Sequence, residues 1–143
     1  MPHRLRDIVA ARAGYRCEYC LAPKAVFNSL FEAEHIQPLA RGGADEVWNR
    51  ALACRACNGR KHVATSAIDP TDQRPVRLFN PRIDIWSDHV GREALTAEIY
   101  GLTDIGRATV LRLHLNSPEQ IRARRIWAQL PAYPEEPANP DLA

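Results

Sequence analysis

Glu34-His35-Ile36-Gln37-Pro38, then Gly42-Gly43-Ala44-Asp45, Asn49 and Cys54-Arg55-Ala56-Cys57-Asn58-Gly59-Arg60-Lys61-His62, are the most informative residues of the chain. An acid and a histidine stand side by side, and a glycine pair separates them from an asparagine. A cysteine pair then opens a run in which Asn58 and His62 are related as i and i+4. Neighbours on a strand point to opposite faces, as Glu34 and His35 should. Residues at i and i+4 share one face of a helix. The stretch predicts a strand within residues 30–39, a loop at Gly42-Gly43, a short strand over 51–53 and a helix from Cys57 to about Val63.

The cysteines frame this stretch. Cys17-x-x-Cys20 and Cys54-x-x-Cys57 account for all four in the chain. Two residues between thiolates let a tight turn aim both sulfurs at one ion, and two such knuckles complete a closed tetrahedral site suited to structural zinc. The insert between the knuckles carries Glu34, His35 and Asn49. A redox pair or unrelated buried thiols are the other readings.

Outward from there, Leu5 to Ala13 predicts a short helix with Leu5, Ile8 and Val9 on one face, stopped by a left-handed Gly14. Residues 64–82 read as a linker because of Pro70, Pro75 and Pro81. From 83 to 103 the pattern permits either a helix over 92–100 or a hairpin. Thr103 caps an expected helix over 104–115. Ser117-Pro118-Glu119-Gln120 is a stronger start signal, with Ser as cap and Pro at the first position. The helix that follows should present Ala123, Ile126, Trp127 and Leu130 on one stripe, with Arg122 and Arg125 on another. Pro131, Pro134, Pro137 and Pro140 predict an extended or disordered tail. The expected organisation is residues 1–66 as the unit with the motifs, 67–130 as an extension packed on it, and 131–143 as the tail.

With 143 residues and 45% hydrophobic composition, the chain suits one small domain, where a metal staple compensates for a limited core. A net charge of only +2 does not by itself declare a nucleic-acid binder. The distribution says more: Arg50, Arg55, Arg60 and Lys61 fall in a run without an acid. No stretch reaches the length of a membrane span, and Met1 to Gly14 lacks the apolar run of a signal peptide. The expectation is a soluble, cytoplasmic protein with no membrane partner, where paired cysteines favour metal over disulfide.

Phosphodiester hydrolysis needs an activated water, charge stabilisation on phosphate and a way to handle the leaving oxygen. His35 can take a proton from water. Glu34 can offer an oxygen to a divalent ion, and Asn58 and His62 can add ligands from the facing helix. His62 reads otherwise as a solvated helix end. Arg55, Arg60 and Lys61 flank this group, either as phosphate contacts or as a solvated face.

The arrangement resembles the HNH endonuclease family over about Arg12 to His62. The motifs that carry the resemblance are the acid-His-Ile-x-Pro segment at Glu34–Pro38, the Gly-Gly-x-Asp turn at Gly42–Asp45, the middle Asn49, and Cys-x-x-Cys-Asn-x-x-Lys at Cys54–Lys61. More loosely, Leu78 through Trp86 and Gly101 through Thr109 look like the tail of small bacterial members. The resemblance implies an α+β fold with a ββα-metal, treble-clef-like nuclease unit and a helical C-terminal extension. It implies metal-dependent cleavage of DNA, with His35 as general base, Asn49 fixing the loop and orienting His35, and Glu34 as a ligand of the catalytic ion. Asn58 stands where many members have His. An amide oxygen is a weaker ligand than imidazole, which gives His62 more weight. Magnesium or manganese would suit oxygen ligands, and zinc, nickel or cobalt a nitrogen-richer set. The alternatives are a zinc-stapled module that binds nucleic acid without cutting, and a structural zinc protein whose partner is another protein.

Overall fold

The structure, a computed structural model, describes residues 3–130, so the proline-rich tail at 131–143 lies outside the described residues. Helix α1 (His3–Arg12) leads into the first cysteine knuckle through Gly14 (φ 64°) and Tyr15 (φ 59°), both left-handed. Strands β1 (Glu32–His35) and β2 (Arg50–Ala53) pair antiparallel, with Glu34 opposite Ala51 and His35 opposite Arg50. Helix α2 (Arg55–Lys61) follows directly. The first strand is shorter than its pattern suggested. Pro38 has no N–H to continue the ladder, and the chain turns through Leu39–Arg41. Helix α2 starts earlier than expected because Cys54 caps it, its sulfur accepting from the Cys57 N–H at 3.4 Å.

The expected linker is partly ordered pairing. Strands β3 (Ser66–Ile68) and β4 (Pro75–Arg77) make a second hairpin. Its turn is built on Asp69, whose carboxylate accepts from the Thr71 N–H at 3.0 Å and from the Arg107 guanidinium at 3.0 and 2.9 Å. Proline is tolerated here because Pro75 sits at the start of a two-stranded pair. After one helical turn, α3 (Trp86–His89), the ambiguous region resolves as a hairpin of β5 (Val90–Arg92) and β6 (Ile99–Gly101). The Tyr100 ring lies over Gly91, where a Cβ would come within 2.5 Å of it and the ring would have to shift.

Helices α4 (Asp104–Arg112) and α5 (Pro118–Trp127) are capped as their sequences signal, by Thr103 on the Gly106 N–H and Ser117 on the Gln120 N–H. The buried face of α5 differs from the expected stripe. Gln120, Arg124 and Trp127 are buried, while Ile126 is 63% exposed. One apolar cluster runs from Val9 and Phe31 through Leu52 to Leu113, Leu115 and Trp127, so the motif-bearing segment and the C-terminal helices share a core. The protein is thus a mixed α/β structure around a four-cysteine cluster. None of its described helices is long and apolar enough to cross a membrane.

Candidate functional site

The four cysteine sulfurs lie within 4.8 Å of one another and all four residues are buried. Two come from the knuckle after α1 and two from the junction of β2 and α2. Each knuckle folds the same way, with the second cysteine's N–H donated to the first one's sulfur, at 3.5 Å for Cys20 on Cys17 and 3.4 Å for Cys57 on Cys54. Burial pushes the Cys17 thiol up, and its three neighbouring cysteines push Cys57 up. Cys54, accepting from those neighbours, is held down. Four crowded sulfurs cannot all ionise without a cation among them, and a tetrathiolate donor set suits zinc. This cluster could hold a structural zinc, and among the described residues it is the one group of three or more His, Cys, Asp or Glu placed to take an ion.

His35 stands at the end of β1 with its side chain 22% exposed. Its Nε2 is 2.9 Å from Asp45 Oδ1, and Arg50, nine-tenths covered, donates to the same oxygen. Those two contacts hold the Asp45 carboxyl below its usual range, the hydrogen bond from His35 first and that from Arg50 second. An ionised Asp45 accepts, so Nε2 carries a proton, and in the neutral form of the ring Nδ1 is the nitrogen that holds the lone pair. Nδ1 has no hydrogen-bond partner among the described residues.

Asn49 is buried and fastens the loop that carries Asp45. Its Oδ1 accepts from the Gln37 N–H at 3.0 Å, and its Nδ2 donates to Gln37 O at 2.9 Å and Ala44 O at 2.8 Å. The loop comes so close that a Cβ on Gly43 would sit 1.8 Å from Gln37 O. Arg12 braces it from behind, donating to Val47 O at 3.0 Å and Arg50 O at 2.6 Å. Asn49 thus reaches His35 only through the loop, and Asp45 makes the direct contact.

Glu34 points the other way, toward α2, and is 8% exposed. One of its oxygens accepts from the Tyr19 hydroxyl and the other from the Lys61 ammonium at 3.0 Å. Burial pushes the Glu34 carboxyl up, while Lys61 and Tyr19 pull it down. Lys61 also donates to Ile36 O at 2.9 Å and His35 O at 3.3 Å, so it clamps the backbone of the strand that carries His35. The expectation that Lys61 faces phosphate is corrected here: it is 2% exposed and its ammonium is turned inward. Removing one partner of a buried pair strands the other's charge, at about 3–5 kcal/mol. Lys61→Met is expected to lower unfolding free energy by about that much in a urea titration, and a change under about 1 kcal/mol would contradict the pairing.

The other expected residues are more scattered. Asn58 is half-buried on α2. His62 lies beyond the helix end, with φ 49° and ψ −120°, and is exposed, so the expected shared helical face with Asn58 is broken at its last residue. Glu34, His35 and His62 do not come together as an ion-binding cluster. Arg55 is exposed, and Arg60 bonds His114 Nδ1 at 2.7 Å. Asp45, Arg50, Arg12 and Tyr19 complete the site without having been singled out as functional. Asp45 was visible as part of the glycine turn, but its reach to His35 depends on a fold that no local pattern encodes.

Residues 17–64 match the family model described as HNH endonuclease. No curated protein and no solved structure matches the chain. The matched segment begins at Cys17 and contains all four cysteines, the Glu34-His35 pair, Asp45, Asn49, Asn58 and His62.

Proposed function

We propose that this chain is a nuclease that hydrolyses DNA phosphodiester bonds, with His35 as the general base. The family match supports nuclease activity and a nucleic-acid substrate. The observation that carries the finer reading is the chain of contacts Arg50 to Asp45 to His35, which fixes the imidazole with Nδ1 unbonded. His35 takes a proton from water at Nδ1, and the hydroxide forms a bond to phosphorus. The bond from phosphorus to the leaving oxygen breaks, and that oxygen takes a proton from solvent. Arg55 and Arg60 are the basic residues of α2 left to meet phosphate. The ββα arrangement, here β1, β2 and α2, would hold the base on one face and Glu34 on the other.

Asp45→Asn tests this assignment. It is expected to lower kcat between about tenfold and about 100-fold with little change in KM, as for a misplaced catalytic group. Unchanged kcat would remove Asp45 from the mechanism.

A catalytic divalent ion would supply charge stabilisation on the phosphate and leaving oxygen. Glu34, Asn58 and His62 offer suitable donor atoms, His62 from the cap position beyond α2, and Lys61 already covers one Glu34 oxygen. In a titration of cleavage with magnesium or manganese, Glu34→Gln is expected to raise the ion concentration for half-maximal rate by about tenfold, the scale of a weakened ligand set. An unchanged requirement would leave Glu34 as the structural partner of Lys61 alone. The buried Glu34–Lys61 pair also favours a second reading, a zinc-stapled module that binds nucleic acid without cutting. The accessible His35 ring opposes it.

A further inference from the structure

Arg124 is the largest fully buried side chain in the described protein, at 1% exposed. Its two terminal nitrogens donate to Ala97 O and Leu115 O, each at 2.7 Å. Those carbonyls satisfy hydrogen bonds but bring no net charge. Nε has no partner, and among the described residues no carboxylate pairs with the guanidinium. A cation taken out of water this far costs several kcal/mol unless negative charge lies near it.

The neighbouring turns of α5 show where that charge is. One turn before Arg124 on the same face, the Gln120 amide lies 4.0 Å from Cys57 Sγ. One turn after it, Trp127 is buried with the Arg16 guanidinium 6.0 Å from its ring centroid, and Arg16 adjoins Cys17. Helix α5 therefore meets the cysteine cluster at Gln120, and Arg124 follows one turn later on the same buried face. Burial lowers the Arg124 pKa, and Cys20 and Cys57 act against that shift. Four thiolates around a divalent ion leave the centre with net negative charge, which is what a fixed guanidinium without a carboxylate can offset.

We propose that Arg124 is a positioning residue of the metal centre: it supplies the countercharge to the tetrathiolate site, and through it the docking of α5 is linked to metal loading. Linkage makes the effect reciprocal, so metal binding favours α5 docking and the docked Arg124 favours metal binding. The inference does not depend on nuclease chemistry.

The test measures zinc affinity of the full chain by competition with a chromophoric chelator, in the wild type, Arg124→Met and Arg124→Lys. The Lys variant gives up the paired carbonyl contacts but keeps the charge. Arg124→Met is expected to bind zinc at least about tenfold more weakly than Arg124→Lys, the scale of a lost outer-shell partner. The cobalt(II)-substituted proteins give a second readout, because the sulfur-to-cobalt absorption band responds to charge beside the thiolates. That band should move in Arg124→Met, and stay in place in Leu78→Ala, a core change outside the main apolar cluster. Equal zinc affinities for the Met and Lys variants would overturn the proposal and leave Arg124 as packing. If Arg124→Met does not fold even in excess zinc, the cobalt spectrum of Arg124→Lys decides: a wild-type band supports the charge role, and a displaced band overturns it.

Discussion

Cys54→Ser is expected to lose the metal and the fold together. Cys54 closes the four-sulfur cluster, follows directly on β2 and caps α2 with its own sulfur. The cluster joins the knuckle after α1 to the β2–α2 junction, so it ties together both ends of the segment that carries His35 and Asn49. Structural zinc in small thiolate domains is worth about 10–16 kcal/mol. A small domain's entire stability is about 5–15 kcal/mol. Serine offers a poorer, harder ligand and leaves three buried sulfurs around an incomplete site. Elemental analysis of untreated wild-type protein should find one zinc per chain. Circular dichroism should show the variant unfolded, and the wild type unfolded after a strong chelator. A folded Cys54→Ser, or zinc-free wild-type protein that keeps its fold, would contradict the assignment.

The parts of this protein that were legible in its sequence are those fixed by short-range chemistry. The Cys-x-x-Cys pairs predicted a cluster because a two-residue spacing constrains both sulfurs, and the sulfurs do converge. Thr103 and Ser117 announced their helices because a hydroxyl cap acts within three residues. Glu34 and His35 went to opposite faces as strand geometry requires. What was hidden depends on partners distant in sequence. Lys61 reads as a basic surface residue until the fold brings it to Glu34, and nothing in Gly59-Arg60-Lys61 signals burial. Arg124 looks like one more arginine in Arg122-Ala123-Arg124-Arg125, yet it alone of the three is buried. The hairpin at 66–77 was masked by its prolines, because its turn is stabilised by Arg107 from a later helix. The split of 83–103 between helix and hairpin turned on the pairing of Val90–Arg92 with Ile99–Gly101, which no local period announces.

His35→Ala is expected to slow DNA cleavage by about 10²–10⁴-fold, the range of a lost general base. The effect should fall on chemistry alone. His35 contributes no side chain to the apolar core, its ring is partly exposed, and its bond is to an exposed carboxylate, so the variant should keep its fold and its zinc. Arg55 and Arg60 are untouched, so DNA affinity should also persist. Loss of binding together with cleavage would indicate a disturbed loop and not a missing base, and Asn49 and Lys61 both fasten that strand and loop independently of the His35 ring.

The most direct test is the rate of supercoiled plasmid cleavage by zinc-loaded wild type and His35→Ala, at saturating divalent ion and enzyme in excess over DNA. The wild type is expected to cut in a metal-dependent way, and the variant at a rate at least about 100-fold lower with unchanged DNA binding. Equal rates for the two proteins, or a wild type that binds DNA and never cuts it, would contradict it.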